Sequence, residues 1–147
     1  MLFIMRGTSC SGKDTFINQT FNSPNNVLSS DNFRELLFGD MSYQGQNNVV
    51  FDKMYQILEH RLIYKVEWTV LNATNLKMKD LSIPISLCEL HQEPFTIISI
   101  QPPSLEELID RAHQRKREGG LDIPVHVLTK HMARYEGSLD SFVNEAR

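Results

Sequence analysis

The segment GTSCSGKDT, residues 7–15, has the spacing of a loop that binds phosphate groups. Four residues separate Gly7 from Gly12, and Lys13 follows directly, between an apolar run and a segment compatible with a helix. The motif requires this context, because glycines let backbone N–H groups turn toward a β-phosphate while the lysine neutralises charge between the β- and γ-phosphates. The pattern predicts binding of a nucleotide, and the alternative is a tight strand-to-helix turn with an exposed lysine. The expected nucleotide contacts are Gly7, Thr8, Ser9, Cys10, Ser11, Gly12, Lys13, Asp14 and Thr15.

Asp14 occupies the position at which such loops usually carry a Ser or Thr hydroxyl that holds magnesium. A carboxylate is a hard oxygen ligand, so this substitution can keep Mg²⁺ rather than lose it. The usual second metal holder is an acid at the end of another strand, and the predicted strand EWTVLNA ends without one. We therefore hypothesise that the acid has moved, and that Asp14 supplies the metal-binding charge otherwise expected near Ala73. The alternative is a surface aspartate favoured by the helix dipole alone.

Asp31 and Arg34, in the segment SSDNFREL, are one helical turn apart and therefore share a face. A carboxylate at this place could orient an attacking hydroxyl and accept its proton, while the planar guanidinium binds a phosphate of the acceptor. The alternative is that Asp31 only caps a helix and Arg34 is a solvated surface residue.

The basic segment RAHQRKR, residues 111–117, places Arg111 and Arg115 on one helical face. The pair Gly119-Gly120 offers a mobile connection behind it. A helix that swings over ATP would bring an arginine to the γ-phosphate and exclude water, so we predict a lid in which Arg111 contacts the nucleotide. The alternative is a helix face that is only solvated.

Strands alternating with helices must position these residues. Short apolar runs followed by polar turns predict strands buried in a parallel sheet, here MLFIM, NVLSS, VEWTVLNATN and FTIISI. Helices are expected over residues 13–21, 31–38, 50–64, 77–91, 104–117 with Ser104 as cap, 124–135, and from 138 to the end. We predict an α/β P-loop NTPase or kinase fold with a mostly parallel central sheet, helices on both faces and a helical lid. Ligands bind outside the carboxyl ends of the strands in such folds.

The composition limits the classes of protein that this chain can represent. Its length fits one domain, residues 1–147, and no apolar run is long enough to cross a bilayer. The start MLFIMRG lacks a secretory cleavage pattern, and Cys10 and Cys88 are too few for a disulfide framework, so we expect a cytoplasmic protein. A net charge of −3 excludes coating of nucleic acid by bulk electrostatics, so any polynucleotide contact is expected to be local.

The chain resembles the kinase domain of phage polynucleotide 5′-kinases over nearly its entire length. The segments that carry the resemblance, in the family's order and spacing, are GTSCSGKDT, SSDNFR, LNATNL, ELIDRAHQR and IPVHVL. The resemblance implies a kinase that uses ATP and Mg²⁺ and transfers the γ-phosphate to the 5′-hydroxyl end of DNA or RNA. It implies Asp31 as the general base, Arg34 as a binder of the acceptor's 3′-side phosphate, and Lys13 as the β/γ-phosphate lysine. It also implies that Arg115 stabilises the transferring phosphoryl group.

The chain departs from the family's pattern at the metal. Thr74 and Asn75 match a DTN triplet that lines the acceptor side, but Ala73 replaces its acid and Asp14 replaces the loop hydroxyl. Both departures put the family's magnesium arrangement in question and sharpen the hypothesis of a relocated acid.

Two other functions stay open at this point. One is a kinase of the same fold that acts on a small alcohol or on a hydroxymethyl group of a DNA base, because the sequence predicts no broad basic surface. The other is a nucleotide-binding regulatory module or plain ATPase, in which Asp31 only orients water. No apolar stripe in the sequence is distinct enough to predict an oligomeric interface.

Overall fold

The computed structural model describes residues 1–145, with side chains described as far as Gly137. The strands are β1 Leu2–Arg6, β2 Val27–Ser29, β3 Thr69–Asn72 and β4 Phe95–Ser99. The helices are α1 Lys13–Thr20, α2 Ser30–Phe38, α3 Asn47–Ile63, α4 Met78–Leu90, α5 Leu105–Arg117 and α6 Val125–Glu145, with a short 3₁₀ turn at Pro24–Asn26. The predicted α/β architecture is confirmed.

The strands form one parallel sheet in the order β2-β3-β1-β4. In this register Arg6 pairs with Ser99, and Ser29 pairs with Asn72, so every strand ends at the same edge. A parallel sheet needs crossover connections, and these leave the loops that follow the strands at that edge. The residues after β1, β2 and β3 are therefore brought together.

Helices cover both faces of the sheet, as the continuous apolar strands require. On one face, α3 and α4 pack against β1 and β3 in a cluster of buried residues that includes Leu2, Ile4, Val50, Met54, Leu58, Leu71 and Leu81. On the other face, Met5 and Val70 pack against Ile17 of α1. A third cluster joins α5 and α6 through Leu108, Ala112 and Leu128 and includes Cys10 of the loop after β1.

Several helix ends differ from those predicted, and α3 begins at Asn47, three residues before its predicted start. The N-cap of α2 is Ser29, whose hydroxyl accepts a hydrogen bond from the Asn32 amide, so the expectation that Asp31 caps this helix is wrong. The predicted break between residues 135 and 138 is also wrong, since α6 is continuous through Gly137. A single glycine costs a helix only about 1 kcal/mol relative to alanine, which the packing of the preceding turns offsets. The predicted cap Ser104 is confirmed by its bond from the Glu107 amide.

Arg6 is fully buried at the carboxyl end of the central strand. Its Nη2 donates to the carbonyl oxygens of Leu76 at 3.3 Å and Tyr135 at 3.2 Å, and its Cζ lies 4.5 Å from the centroid of the Tyr135 ring. A guanidinium can meet several acceptors in one plane and stack on an aromatic ring at the same time. Arg6 therefore fixes α6 to the middle of the sheet.

Arg6→Ala should lower the free energy of unfolding by about 3 kcal/mol, because it leaves buried carbonyl groups without a donor and opens a cavity. Arg117→Ala, which removes an exposed arginine of α5, is the matched control and should cost less than about 0.5 kcal/mol. Urea unfolding of both variants measures the difference. Equal losses would show that Arg6 does not hold α6.

Candidate nucleotide and acceptor site

The loops at the carboxyl edge of the sheet border a cavity of about 1440 Å³. Of the site residues predicted from the sequence, Gly7 and Thr8 lie behind the wall, and all the others line it. The polar residues that line this cavity include Ser11, Lys13, Asp14, Asp31, Arg34, Asn47, Asn72, Thr74, Asn75, Arg111, Arg115 and His131.

The loop after β1 has the backbone that a phosphate-binding turn needs. Gly12 has φ of 105°, in the left-handed region that favours glycine, and it precedes the first residue of α1. A Cβ at Gly7 would lie 2.9 Å from Ser11 Oγ and 3.3 Å from the carbonyl oxygen of Ile100, so a side chain would not fit there without a shift. The backbone conformation at Gly12 and the lack of space at Gly7 therefore explain why the loop has glycine at these two positions.

Lys13 lies inside the loop rather than in solvent. Its ammonium donates to the carbonyl oxygens of Gly7 at 2.9 Å and Thr8 at 2.7 Å, and burial lowers the pKa of Lys13 to about 8. The nearby hydroxyls of Thr8 and Ser11 are buried and have no hydrogen-bond partner among the described residues. A buried cation beside hydrogen-bond donors that have no partner is suited to binding an anion. The alternative interpretation, a tight turn with an exposed lysine, is excluded.

Asp14 is held between a strand and the lid helix. Its Oδ1 accepts a hydrogen bond of 2.8 Å from Asn72 Nδ2, at the end of β3, and its Oδ2 accepts one of 3.2 Å from Arg115. The residue that faces Asp14 is therefore Asn72 rather than Ala73, where the missing acid was expected. The described residues contain no group of three or more His, Cys, Asp or Glu side chains that could hold a metal. Mg²⁺ is commonly bound by one protein carboxylate together with phosphate oxygens of a substrate, so the carboxylate of Asp14 fits this ion.

Asp31 and Arg34 form an ion pair on the other side of the cavity. Arg34 Nη1 donates to Asp31 Oδ1 at 2.8 Å, and its Nε and Nη2 donate to Asn47 Oδ1 at 3.2 Å. Arg34 is buried, so it is not the solvated surface residue of the alternative interpretation. Partial burial raises the pKa of Asp31, and this effect exceeds the opposite effect of Arg34. The charges of Asp14, Lys13 and Arg115 also act on this carboxyl, so Asp31 lies within electrostatic reach of the phosphate loop and of α5.

The lid helix α5 contacts the phosphate loop through both predicted arginines. Arg111 Nη1 donates to the Cys10 carbonyl at 3.0 Å, and Arg115 Nη1 lies 3.8 Å from Cys10 Sγ. Glu107 supports Arg111 through a 2.9 Å ion pair one turn away. The basic segment is therefore directed at the cavity on this face.

Thr74 and Asn75 form hydrogen bonds with backbone groups of β1 and of the loop that follows it. The Gly7 amide donates to the Thr74 carbonyl at 3.0 Å, and Asn75 Nδ2 donates to the Met5 carbonyl at 2.8 Å. Asn75 has φ of 47°, a left-handed conformation that asparagine tolerates better than most residues. Both residues join the end of β3 to β1 and line the cavity.

Three residues of the site were missed by the sequence analysis: Asn47, Asn72 and His131. Nδ1 of His131, on α6, accepts a hydrogen bond of 3.3 Å from the amide of Ser9 in the loop. Burial lowers the pKa of His131 to about 4, and nearby positive charges add to the shift. Those charges belong to Lys13, Arg134 and Lys130. The imidazole is therefore neutral near pH 7 and can accept from the loop.

The fold and the loop together define a P-loop nucleotide-binding domain. Residues 2–138 match the family model described as AAA domain, and the chain belongs to this family, AAA_33. Membership implies binding of a nucleoside triphosphate. In the described residues, no helix combines the length and the apolar character that a membrane span needs.

The structure is similar to solved structures of low sequence identity. A chain in the structure of the Pnkp1/Rnl/Hen1 RNA repair complex matches with a TM-score of 0.77 and 21% identity, over 95% of this chain and 45% of that one. A protein of Chloroflexus aurantiacus assigned as a kinase matches with a TM-score of 0.65 and 18% identity, over 80% of this chain and 68% of that one. These likenesses establish the fold.

A curated relative is the uncharacterized protein L702 of Acanthamoeba polyphaga mimivirus. It is 29% identical over 100 residues, which are 68% of this chain and 12% of the relative. The matched segment is thus a small part of a much longer protein.

The lowered pKa of His131 makes part of the stability depend on pH. Between about pH 6.5 and the folded-state value of about 4, the unfolded chain binds more protons at this ring, so stability falls as pH falls through this window. Relative to His131→Asn, wild type should lose about 1 to 2 kcal/mol more between pH 7 and pH 5. Urea unfolding at both pH values measures this, with His113→Asn on the exposed face of α5 as control. Parallel losses in wild type and His131→Asn would contradict a buried neutral imidazole.

Proposed function

We propose that this protein is an ATP-dependent polynucleotide 5′-hydroxyl kinase. The observation that carries the proposal is the position of Asp31, whose carboxylate opens on the same cavity as the phosphate loop and is held there by Arg34. The likeness to a chain of an RNA repair complex supports a nucleic acid acceptor, as does the resemblance to phage polynucleotide kinases. The net charge of −3 agrees with an enzyme that contacts only the end of the acceptor.

In the proposed reaction, the 5′-hydroxyl oxygen forms a bond to the γ-phosphorus, the bond from that phosphorus to the β–γ bridging oxygen breaks, and ADP leaves. The hydroxyl proton passes to Asp31, whose Oδ1 is occupied by Arg34 while Oδ2 is open to the acceptor among the described residues. Because the transition state of phosphoryl transfer is loose, orientation of the hydroxyl by Asp31 matters more than removal of its proton.

Charge stabilisation in this reaction comes from opposite sides of the cavity. Lys13 is close to the position of the β- and γ-phosphates, and Arg115 approaches from the lid, where it would stabilise the transferring group. Asp14 would hold Mg²⁺, and this ion when bound would neutralise phosphate charge. Arg34 would bind the phosphate on the 3′ side of the acceptor nucleotide with the edge of its guanidinium that Asn47 now occupies.

An acceptor assay separates this function from its rivals. The protein is incubated with ATP labelled in the γ-phosphate and, separately, with a 5′-hydroxyl oligonucleotide, hydroxymethylated duplex DNA, glycerol or no acceptor. We expect label only in the oligonucleotide. Label in hydroxymethylated DNA or glycerol would identify a kinase for another alcohol, and free phosphate in every tube would identify an ATPase.

Asp31→Asn should lower the rate of transfer to the oligonucleotide by at least about 100-fold, because an amide orients the hydroxyl less well than a carboxylate and cannot accept its proton. ATP affinity, measured by calorimetry, should stay within about 3-fold, since Ser29 and not Asp31 caps α2. Asp110→Asn, at an exposed position of α5, controls for a general loss of negative charge. Loss of ATP binding together with transfer would assign Asp31 a structural role only.

Arg34→Gln should raise KM for a nucleoside 3′-monophosphate acceptor by about 10- to 100-fold, because a charge-assisted bond to the phosphate is lost. The KM for the matching nucleoside without phosphate should change much less. Steady-state kinetics with the two acceptors measures the ratio. An equal increase for both acceptors would show that Arg34 only positions Asp31.

A further inference from the structure

The contact between Asp14 and Asn72 reverses a pairing that phosphate-loop proteins usually make. In the usual arrangement, the first turn of the helix after the loop supplies a hydroxyl, and an acid at the end of a neighbouring strand supplies the negative charge for Mg²⁺. Here the acid is on the helix, and the strand supplies the amide that donates to it at 2.8 Å. The two positions remain direct neighbours, so donor and acceptor have exchanged places across one hydrogen bond.

Asn72 orients Asp14 for a further contact. Asn72 is buried, with 9% of its surface exposed, and its Nδ2 fixes Oδ1 of Asp14. The Asp14 side chain is 56% exposed and borders the cavity, where, within the part of the chain that the structure describes, Arg115 is the partner of Oδ2. A carboxylate that is anchored at one oxygen and accessible at the other is suited to a cation.

A second observation at the same loop independently indicates a ligand. Ser11 is 7% exposed and lines the cavity, and its hydroxyl has no hydrogen-bond partner among the described residues. A buried hydroxyl without a partner is costly unless a ligand satisfies it. Phosphate oxygens in this loop would satisfy it and would also complete the oxygen ligands of a divalent ion at Asp14.

We propose that Asp14 and Asn72 form an exchanged magnesium site, in which the helix residue supplies the carboxylate and the strand residue the supporting polar group. This deepens the proposed function, because it names how the site binds Mg²⁺·ATP, but it concerns nucleotide binding and not the acceptor. A cation held by Oδ2 of Asp14 would take the place of Arg115 there, and the arginine would then be able to reach the phosphates.

The proposal predicts that magnesium binding is retained when the hydroxyl is placed at residue 14 and the acid at residue 72. Mg²⁺ should strengthen ATP binding to the wild-type protein. In Asp14→Ser, this effect of Mg²⁺ on ATP affinity should be about 10- to 100-fold smaller. Asn72→Asp should weaken ATP binding without Mg²⁺, because two carboxylates then face the phosphates. The double variant Asp14→Ser with Asn72→Asp should recover the strengthening to within about 3-fold of wild type. Calorimetric ATP affinities with and without Mg²⁺ measure this, and electron paramagnetic resonance of Mn²⁺ counts the bound ion.

The control double variant is Asp14→Ser with Ala73→Asp, which puts the acid one residue further along. It should not recover the strengthening, because residue 72 and not residue 73 faces residue 14. Full strengthening in Asp14→Ser, or a folded Asn72→Asp double variant that recovers none, would overturn the proposal. If the double variants do not fold, Asp14→Asn decides: retained strengthening overturns the proposal, and lost strengthening supports it. A protein that binds Mg²⁺·ATP in this way but fails the acceptor assay would disprove only the kinase proposal.

Discussion

The site depends on a buried positive charge that the protein alone does not neutralise. The ammonium of Lys13 is removed from water and meets carbonyl oxygens of its own loop, without a carboxylate at hydrogen-bond distance among the described residues. Its lowered pKa reports the cost of that burial. An anion that enters the loop relieves this cost and can also pair the hydroxyl of Ser11, which lines the cavity. The folded chain thus holds an unfavourable local arrangement that a phosphate corrects.

The two acids near this cation, Asp14 and Asp31, are both paired with hydrogen-bond donors of the protein. Asp14 would repel phosphates if it stood free, and both of its oxygens are instead occupied by donors, the amide of Asn72 and the guanidinium of Arg115. Asp31 is restrained in the same way by Arg34. Each acid therefore has a cationic or amide partner within the protein.

The sequence predicted those features that depend on local spacing. The loop, the shared face of Asp31 and Arg34, and the arginines of α5 all follow from neighbours in the chain, and the structure places them around one cavity. The contacts of Asn72 with Asp14 and of His131 with Ser9 join residues 58 and 122 positions apart, and a single sequence carries no signal for them. The continuous α6 was missed because the weak breaking effect of one glycine was given more weight than tertiary packing.

The attachment of α6 to Arg6 determines the order in which the parts of this site can form. The phosphate loop is synthesised before α6, which carries the histidine that accepts from its Ser9 amide. Helix α6 is in turn fixed to β1 through Tyr135, 129 positions from Arg6. Such distant contacts are slow to form, because the closure entropy of the long intervening chain must be overcome first. A nascent chain on the ribosome therefore carries the complete loop sequence well before it has a finished nucleotide pocket, and competence to bind arrives only after α6 has been synthesised.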